Sequence, residues 1–213
     1  CTVLAMSLYS VGRNFVSNDH SVDLKTGTPL AIGAAAGGWI GRQMFAFTET
    51  LTGSASTAGS LQAIILGLLT AGTLLYTLKK SSIPTKNIRG LLPCLVIGLA
   101  LGVMSSFLGI GGGPFNLVVL TYFFGMSTKI AAANSLYIIL FSQAASLGTT
   151  IISHTVPSFS LPVLLLMISG GVSGGMVGRA VNRCLDDRAV DRLFIGLMII
   201  ILLICVYNFY QYR

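Results

Sequence analysis

The residues Leu108 to Asn116, LGIGGGPFN, combine four glycines and a proline inside a stretch with no charged side chain from Gly90 to Thr128. Glycine admits positive φ and close backbone approach, and proline is tolerated in the first turn of a helix, where its missing N–H is harmless. The segment predicts a turn that opens a new helix at Pro114. The N–H groups of Gly111, Gly112, Gly113, Phe115 and Asn116 then lie near the positive end of that helix, with Gly109 in the same cluster. Exposed amides at a helix N-terminus form an anion site, so the chemistry on offer is oxyanion binding by backbone donors. The competing reading is that the glycines only permit tight helix packing. Nucleotide binding fits poorly: no Lys-Ser/Thr follows the glycines, and Pro114 stands where the dinucleotide pattern needs its third glycine.

The elements that carry this turn are set by composition. Charged residues are 9% of the chain, hydrophobic residues 54%, and mean hydropathy is +0.84. A soluble domain carries about 25% charge, so the chain is an all-α, polytopic membrane protein in a multi-pass arrangement in the cell membrane. Its charge-free runs are Thr26 to Gly41, Thr50 to Leu78, Gly90 to Thr128, Ile130 to Gly178 (broken only by His154) and Leu193 to Tyr212. With about 20 residues per crossing, the fourth run holds two spans, and Cys1 to Gly12 adds part of another.

Gly90 to Thr128 is too long for one crossing and short for two, and charge decides its path. Lys and Arg favour cytoplasmic loops, and the chain has thirteen to place. If the element enters and returns, all fall inside except Arg42 and Arg213; if it crosses once, they divide almost evenly. LGIGGGPFN is therefore the tip of a broken Gly-rich helical hairpin. Irregular backbone at that depth survives only when buried in protein or lining a wet cavity.

The chain also repeats. AMSLY at Ala5–Tyr9 returns as ANSLY at Ala133–Tyr137, and GGWIGR at Gly37–Arg42 as GGMVGR at Gly174–Arg179. The charge tally puts the loop after the first GG motif outside and the loop after the second inside, so the halves are inverted-topology repeats, an arrangement suited to alternating access. The organisation is 1–78 as the remainder of a first repeat, 79–90 (KKSSIPTKNIR and the following Gly90) as a basic cytoplasmic linker, and 91–213 as the second repeat. Gly113 precedes Ser135 by 22 residues, so its counterpart before Ser7 falls upstream of Cys1, and the first hairpin is expected to be missing.

On GLALGVMSSFLGIGGGPFNLVVL, followed by AAANSLYIIL and GGVSGGMVGR, and on TVLAMSLYSVGRNF through GGWIGR to Leu78, the chain resembles the sulfite exporter TauE/SafE family over nearly its whole length. The resemblance implies a transporter that exports sulfite or small organosulfonates. The chain departs from the family pattern in Pro114, which sits against the glycines instead of a few residues beyond, and in Asn134-Ser135, which stand for the usual Thr-Ser pair; both bear on the substrate.

The candidate substrate-binding residues are Gly109, Gly111, Gly112, Gly113, Asn116, Asn134, Ser135, its counterpart Ser7, and Gln143 two turns beyond Asn134. Arg42, Arg179 and Lys129 read as interface anchors. His20 and His154 fall in loops on opposite faces and share no metal. Cys1, Cys94, Cys184 and Cys205 show no paired spacing, so neither a metal nor a disulfide framework is expected, and no cofactor motif occurs. The net charge of +7 expresses the inside bias and does not indicate nucleic acid. The partners are a small anionic substrate and the lipid bilayer; nothing in the sequence speaks to oligomeric state. No Asp, Glu or His falls within a predicted span, which argues against intramembrane enzymatic chemistry. An anion channel, or a transporter of another sulfur or carboxylate anion, is the nearer alternative. The same lack favours uniport of the anion down the membrane potential over proton coupling.

Overall fold

Helix stops in the sequence are few and local, and the helices run between them. The structure, a computed structural model, describes residues 2–16, 23–53, 55–80, 83–109, 112–153 and 160–211. Gly111, His20 and His154 lie outside them. The described residues form eight helices: α1 Thr2–Val16, α2 Leu24–Thr52, α3 Ala55–Lys79, α4 Leu91–Leu108, α5 Gly113–Phe124, α6 Thr128–Ile152, α7 Leu161–Cys184 and α8 Asp187–Gln211. Asp23 starts α2 by accepting from Lys25 N (3.1 Å) and Thr26 Oγ1 (2.7 Å), and Gly53 ends it in the left-handed region.

Five of the helices hold stretches long and apolar enough to cross a membrane, in α3, α4, α6, α7 and α8, and α5 is a shorter apolar helix. Large apolar side chains such as Leu166 on α7 and Leu203 on α8 lie exposed, as lipid-facing positions require. The chain is a multi-pass, all-helical membrane protein.

One boundary differs from the charge pattern. The polar stretch from Arg42 to Glu49, expected as an external loop, continues α2 as helix to Thr52. No glycine or proline interrupts it after Gly41, and Thr48 and Thr50 bond back to Met44 O and Phe47 O. At 29 residues the helix is about 43 Å long, more than the roughly 30 Å of hydrocarbon, so its polar turns extend beyond the apolar layer.

The hairpin is formed. α4 runs parallel to α2, since Gly33, Gly37 and Gly41 face Leu95, Leu99 and Val103 in ascending order. α5 then returns to the same end: Lys86 N donates to Tyr122 O (2.9 Å) and Ile88 N to Phe123 O (2.7 Å), joining the linker to the C-terminal turn of α5. At that end Lys80 Nζ meets Thr128 Oγ1 (2.6 Å) and Asp191 (3.4 Å), bringing together the end of α3 and the starts of α6 and α8. Arg179 Nη1 donates to Ser10 O (3.3 Å), which puts the C-terminal part of α7 beside that of α1. Thus α1 and α3 end, and α6 and α8 begin, on one basic face; α2 begins there and α7 ends there. Helices α1–α3 run opposite in sense to α6–α8, as inverted copies must. The core they enclose includes Leu30, Ala34, Leu101, Leu108, Phe115, Leu120 and Ile138.

Candidate functional site

The hairpin tip is assembled by two left-handed glycines. Gly109 (φ 70°) closes α4, its N–H bonding Ser105 O at 3.1 Å. Gly112 (φ 74°) is the N-cap of α5, with no side chain capping the helix. These are conformations that L side chains avoid. Pro114 occupies the first turn of α5, as the sequence predicts. The Gly112 carbonyl accepts from Asn116 N at 2.9 Å. By helix geometry the amides of Gly113 and Phe115 have no carbonyl acceptor within the helix and lie at its positive end.

Asn116 is the outstanding side chain of this tip. It is 0% exposed, and both its Oδ1 and its Nδ2 lack a hydrogen-bond partner among the described residues. Leaving such a group unpaired costs about 1–3 kcal/mol, a cost that selection for stability alone would remove. The amide sits directly over the turn: a Cβ added to Gly112 would lie 2.9 Å from Asn116 Oδ1 and 2.9 Å from Phe115 Cζ. Gly112 thus serves both the backbone angle and the space beside the amide.

Other polar groups surround the end of α4 that the glycine pattern does not indicate. Gln62 of α3 donates to Leu108 O. Gln62 and Asn208 line a cavity of about 340 Å³ between α3 and α8 that reaches Leu108. Ser105 is 1% exposed with an unpaired Oγ, and Ser106 Oγ lies 3.4 Å from Ser142 Oγ of α6. The available signal is Gln62, the single amide of α3, and Asn208 at the end of the apolar run of α8.

The remaining predicted residues are arranged separately. Asn134 is buried and bonded: Oδ1 accepts from Asp23 N (3.2 Å) and Nδ2 donates to Ile130 O (2.9 Å), fastening α6 to the start of α2. Ser7 is buried in α1 and donates to Leu4 O (2.9 Å), Ser135 is buried in α6, and Gln143 is half-buried on the same helix. Gly109, Gly112, Gly113 and Asn116 are gathered at the tip. At about 1.5 Å rise per residue, Asn116 lies about 12 Å inward from the end of α5 and Asn134 about 9 Å inward from the start of α6, similar depths from the basic face. From that face opens a cavity of about 780 Å³, lined by Asp23, Lys25, Asn87, Arg89, Ser127 and Ile130 among others.

A model of the sulfite exporter TauE/SafE family matches residues 1–204 of the chain. No curated protein and no solved structure matches it.

Proposed function

Since the chain belongs to the sulfite exporter TauE/SafE family, whose members are membrane transporters and not enzymes, we propose that it moves a small sulfur oxyanion, sulfite or an organosulfonate, outward through a site at the Gly112 end of α5. The observation that carries this reading is Asn116: a fully buried amide with no hydrogen-bond partner among the described residues, held at the positive end of α5 within an apolar hairpin. Donors of this kind at a positive helix end suit an oxyanion, and in transporters with broken helices such ends face anionic substrates near the midplane. α5 has 12 residues, or about 18 Å of rise, so its tip stops within the roughly 30 Å hydrocarbon layer. The basic-face cavity, with Lys25 and Arg89 in its lining, supplies an entrance that attracts anions.

The buried polar side chains among the described residues are Ser, Thr and Asn, none of which titrates. The transported charge then moves electrogenically, and a cell-negative potential drives an anion outward with about 2.3 kcal/mol per charge per 100 mV. The inverted sense of α1–α3 and α6–α8 supports alternating access to one central site.

The test is efflux from proteoliposomes of sulfite, small sulfonates, sulfate and short carboxylates, with Gly112→Ala and Gly148→Ala compared. A left-handed non-glycine residue costs about 1–2 kcal/mol, and about 1.4 kcal/mol is a tenfold change. Gly112→Ala is expected to slow saturable sulfite efflux about tenfold or more. Gly148, helical with no neighbour within 4 Å of an added Cβ, tolerates the methyl. Efflux unchanged by Gly112→Ala removes the tip from the pathway, and efflux of carboxylates alone replaces the substrate class.

A further inference from the structure

Helices α3 and α8 pack antiparallel, and the contacts along them keep one register. Lys80 meets Asp191 (3.4 Å), Thr73 Oγ1 donates to Met198 Sδ (3.4 Å), and a Cβ added at Gly67 would lie 3.7 Å from Cys205 Cβ. Continued by one more turn, that register sets Gln62 opposite Asn208. Both line the cavity of about 340 Å³, among Ala63, Leu66, Ile201 and Ile204. The helix pair is tied by an ion pair at the basic face and opens at its other end between two amides.

Depth places this cavity beyond the glycine tip. At about 1.5 Å rise per residue, Gln62 lies about 26 Å along α3 from Lys79, Leu108 about 26 Å along α4 from Leu91, and Asn208 about 31 Å along α8 from Asp187. The start of α5 is about 18 Å from the same face, so it stands between this cavity and the one that opens on the basic face. Gln62 connects the outer cavity to the tip: its Nε2 donates to Leu108 O, and a Cβ added at Gly109 would come 3.3 Å from that nitrogen. The two cavities also differ in charge. Lys25 and Arg89 line the basic-face cavity together with Asp23, whereas the described lining of the outer one is neutral.

We infer that the α3–α8 cavity is the outward exit of the anion pathway, with Gln62 and Asn208 as the neutral ligands that receive the oxyanion from the tip and the Gln62–Leu108 bond as the contact that closes it. The inference rests on the tip as the substrate site. When the Gln62 amide turns from Leu108 O to the anion, its N–H exchanges a neutral carbonyl for a charged acceptor, and hydrogen bonds to charged groups are the stronger kind. Amides suit an exit because the last contact on a pathway must be favourable enough to enter and weak enough to leave, and a cation would hold the anion more tightly. Lipid is a poor occupant: acyl chains in the cavity would leave both amides facing hydrocarbon. Cations at the intake and neutral donors at the exit give the pathway a direction of capture and release.

The test measures sulfite efflux from proteoliposomes for Gln62→Leu and Asn208→Leu, with Gly112→Ala alongside. Each leucine variant is expected to slow efflux about tenfold, the loss of one hydrogen bond to a charged group. Parental rates in both leucine variants with a slow Gly112→Ala overturn the exit and leave the tip in place; parental rates in all three overturn the exit and the tip together. Accessibility gives a readout that a purely structural role of the amides would not move. In intact cells, in a chain with its native cysteines replaced by alanine, Asn208→Cys should react with a membrane-impermeant, sulfonate-bearing methanethiosulfonate added outside about tenfold faster than Leu203→Cys, a position 65% exposed on the apolar surface of α8. Methanesulfonate in the medium should slow that reaction. Equal rates at the two positions put lipid in the cavity, and a reaction indifferent to methanesulfonate makes it a wet cleft off the pathway; either result overturns the proposal.

Discussion

Replacing Asn116 by leucine should make this protein more stable and less active. Asn116 is 0% exposed and neither amide atom has a partner among the described residues. Its desolvation is thus uncompensated, at about 1–3 kcal/mol. Leucine has the same branching and number of side-chain heavy atoms, so it stands beside Gly112 and Phe115 without the unpaired dipole, and its larger methyls offset part of the gain. Asn116→Leu is expected to stabilise the fold by about 1–3 kcal/mol, which for a chain of this size corresponds to roughly 2–4 °C in Tm per kcal/mol. The same change removes the side-chain donor from the positive end of α5, and hydrogen bonds to charged groups are worth about 1.5–3 kcal/mol, so saturable anion efflux should fall at least tenfold. Thermal unfolding in detergent and efflux from proteoliposomes, measured on one preparation, check both halves. A destabilised leucine variant refutes the premise that the amide is unpaired. A stabilised variant that transports at the parental rate refutes the assignment of Asn116 to the pathway.

Three further outcomes follow from other parts of the fold. Asn134→Ala removes the acceptor of Asp23 N and should destabilise by about 1 kcal/mol, read as a lower Tm; an unchanged Tm would mean that the junction of α6 with the start of α2 does not depend on this bond. Asp191→Asn weakens the junction of Lys80, Thr128 and Asp191, but the two charged side chains are 31% and 29% exposed, so the loss should stay within about 1 kcal/mol and shrink at high salt. Sulfite efflux should follow an imposed potential and ignore a pH gradient of the same driving force; the reverse dependence in vesicles would replace uniport by proton coupling.

Much of the architecture is legible in local pattern. Lipid has one requirement of a crossing segment, a long apolar run, and the runs in the sequence correspond to the helices apart from the extension of α2 past Arg42. There the charge pattern suggests a loop although nothing breaks the helix, because hydropathy reports the solvent and not the backbone. The hairpin was legible through charge, since a wrong crossing count would have spread the cations over both faces. The glycine turn was legible because left-handed backbone at Gly109 and Gly112 is chemistry that few residues can supply.

What only the tertiary structure decided is which groups meet. Asn116 and Asn134 look alike in sequence, each an asparagine in an apolar stretch, yet Asn134 is satisfied by Asp23, a residue 111 positions away, while Asn116 is left with no partner among the described residues. Gly33, Gly37 and Gly41 read the same as Gly170, Gly174 and Gly178, yet one set holds a helix and the other lies open. Period and composition describe the surface an element offers. Whether that surface is filled, bonded or left open depends on which distant element the chain brings against it, and that contact is where binding and assembly are determined.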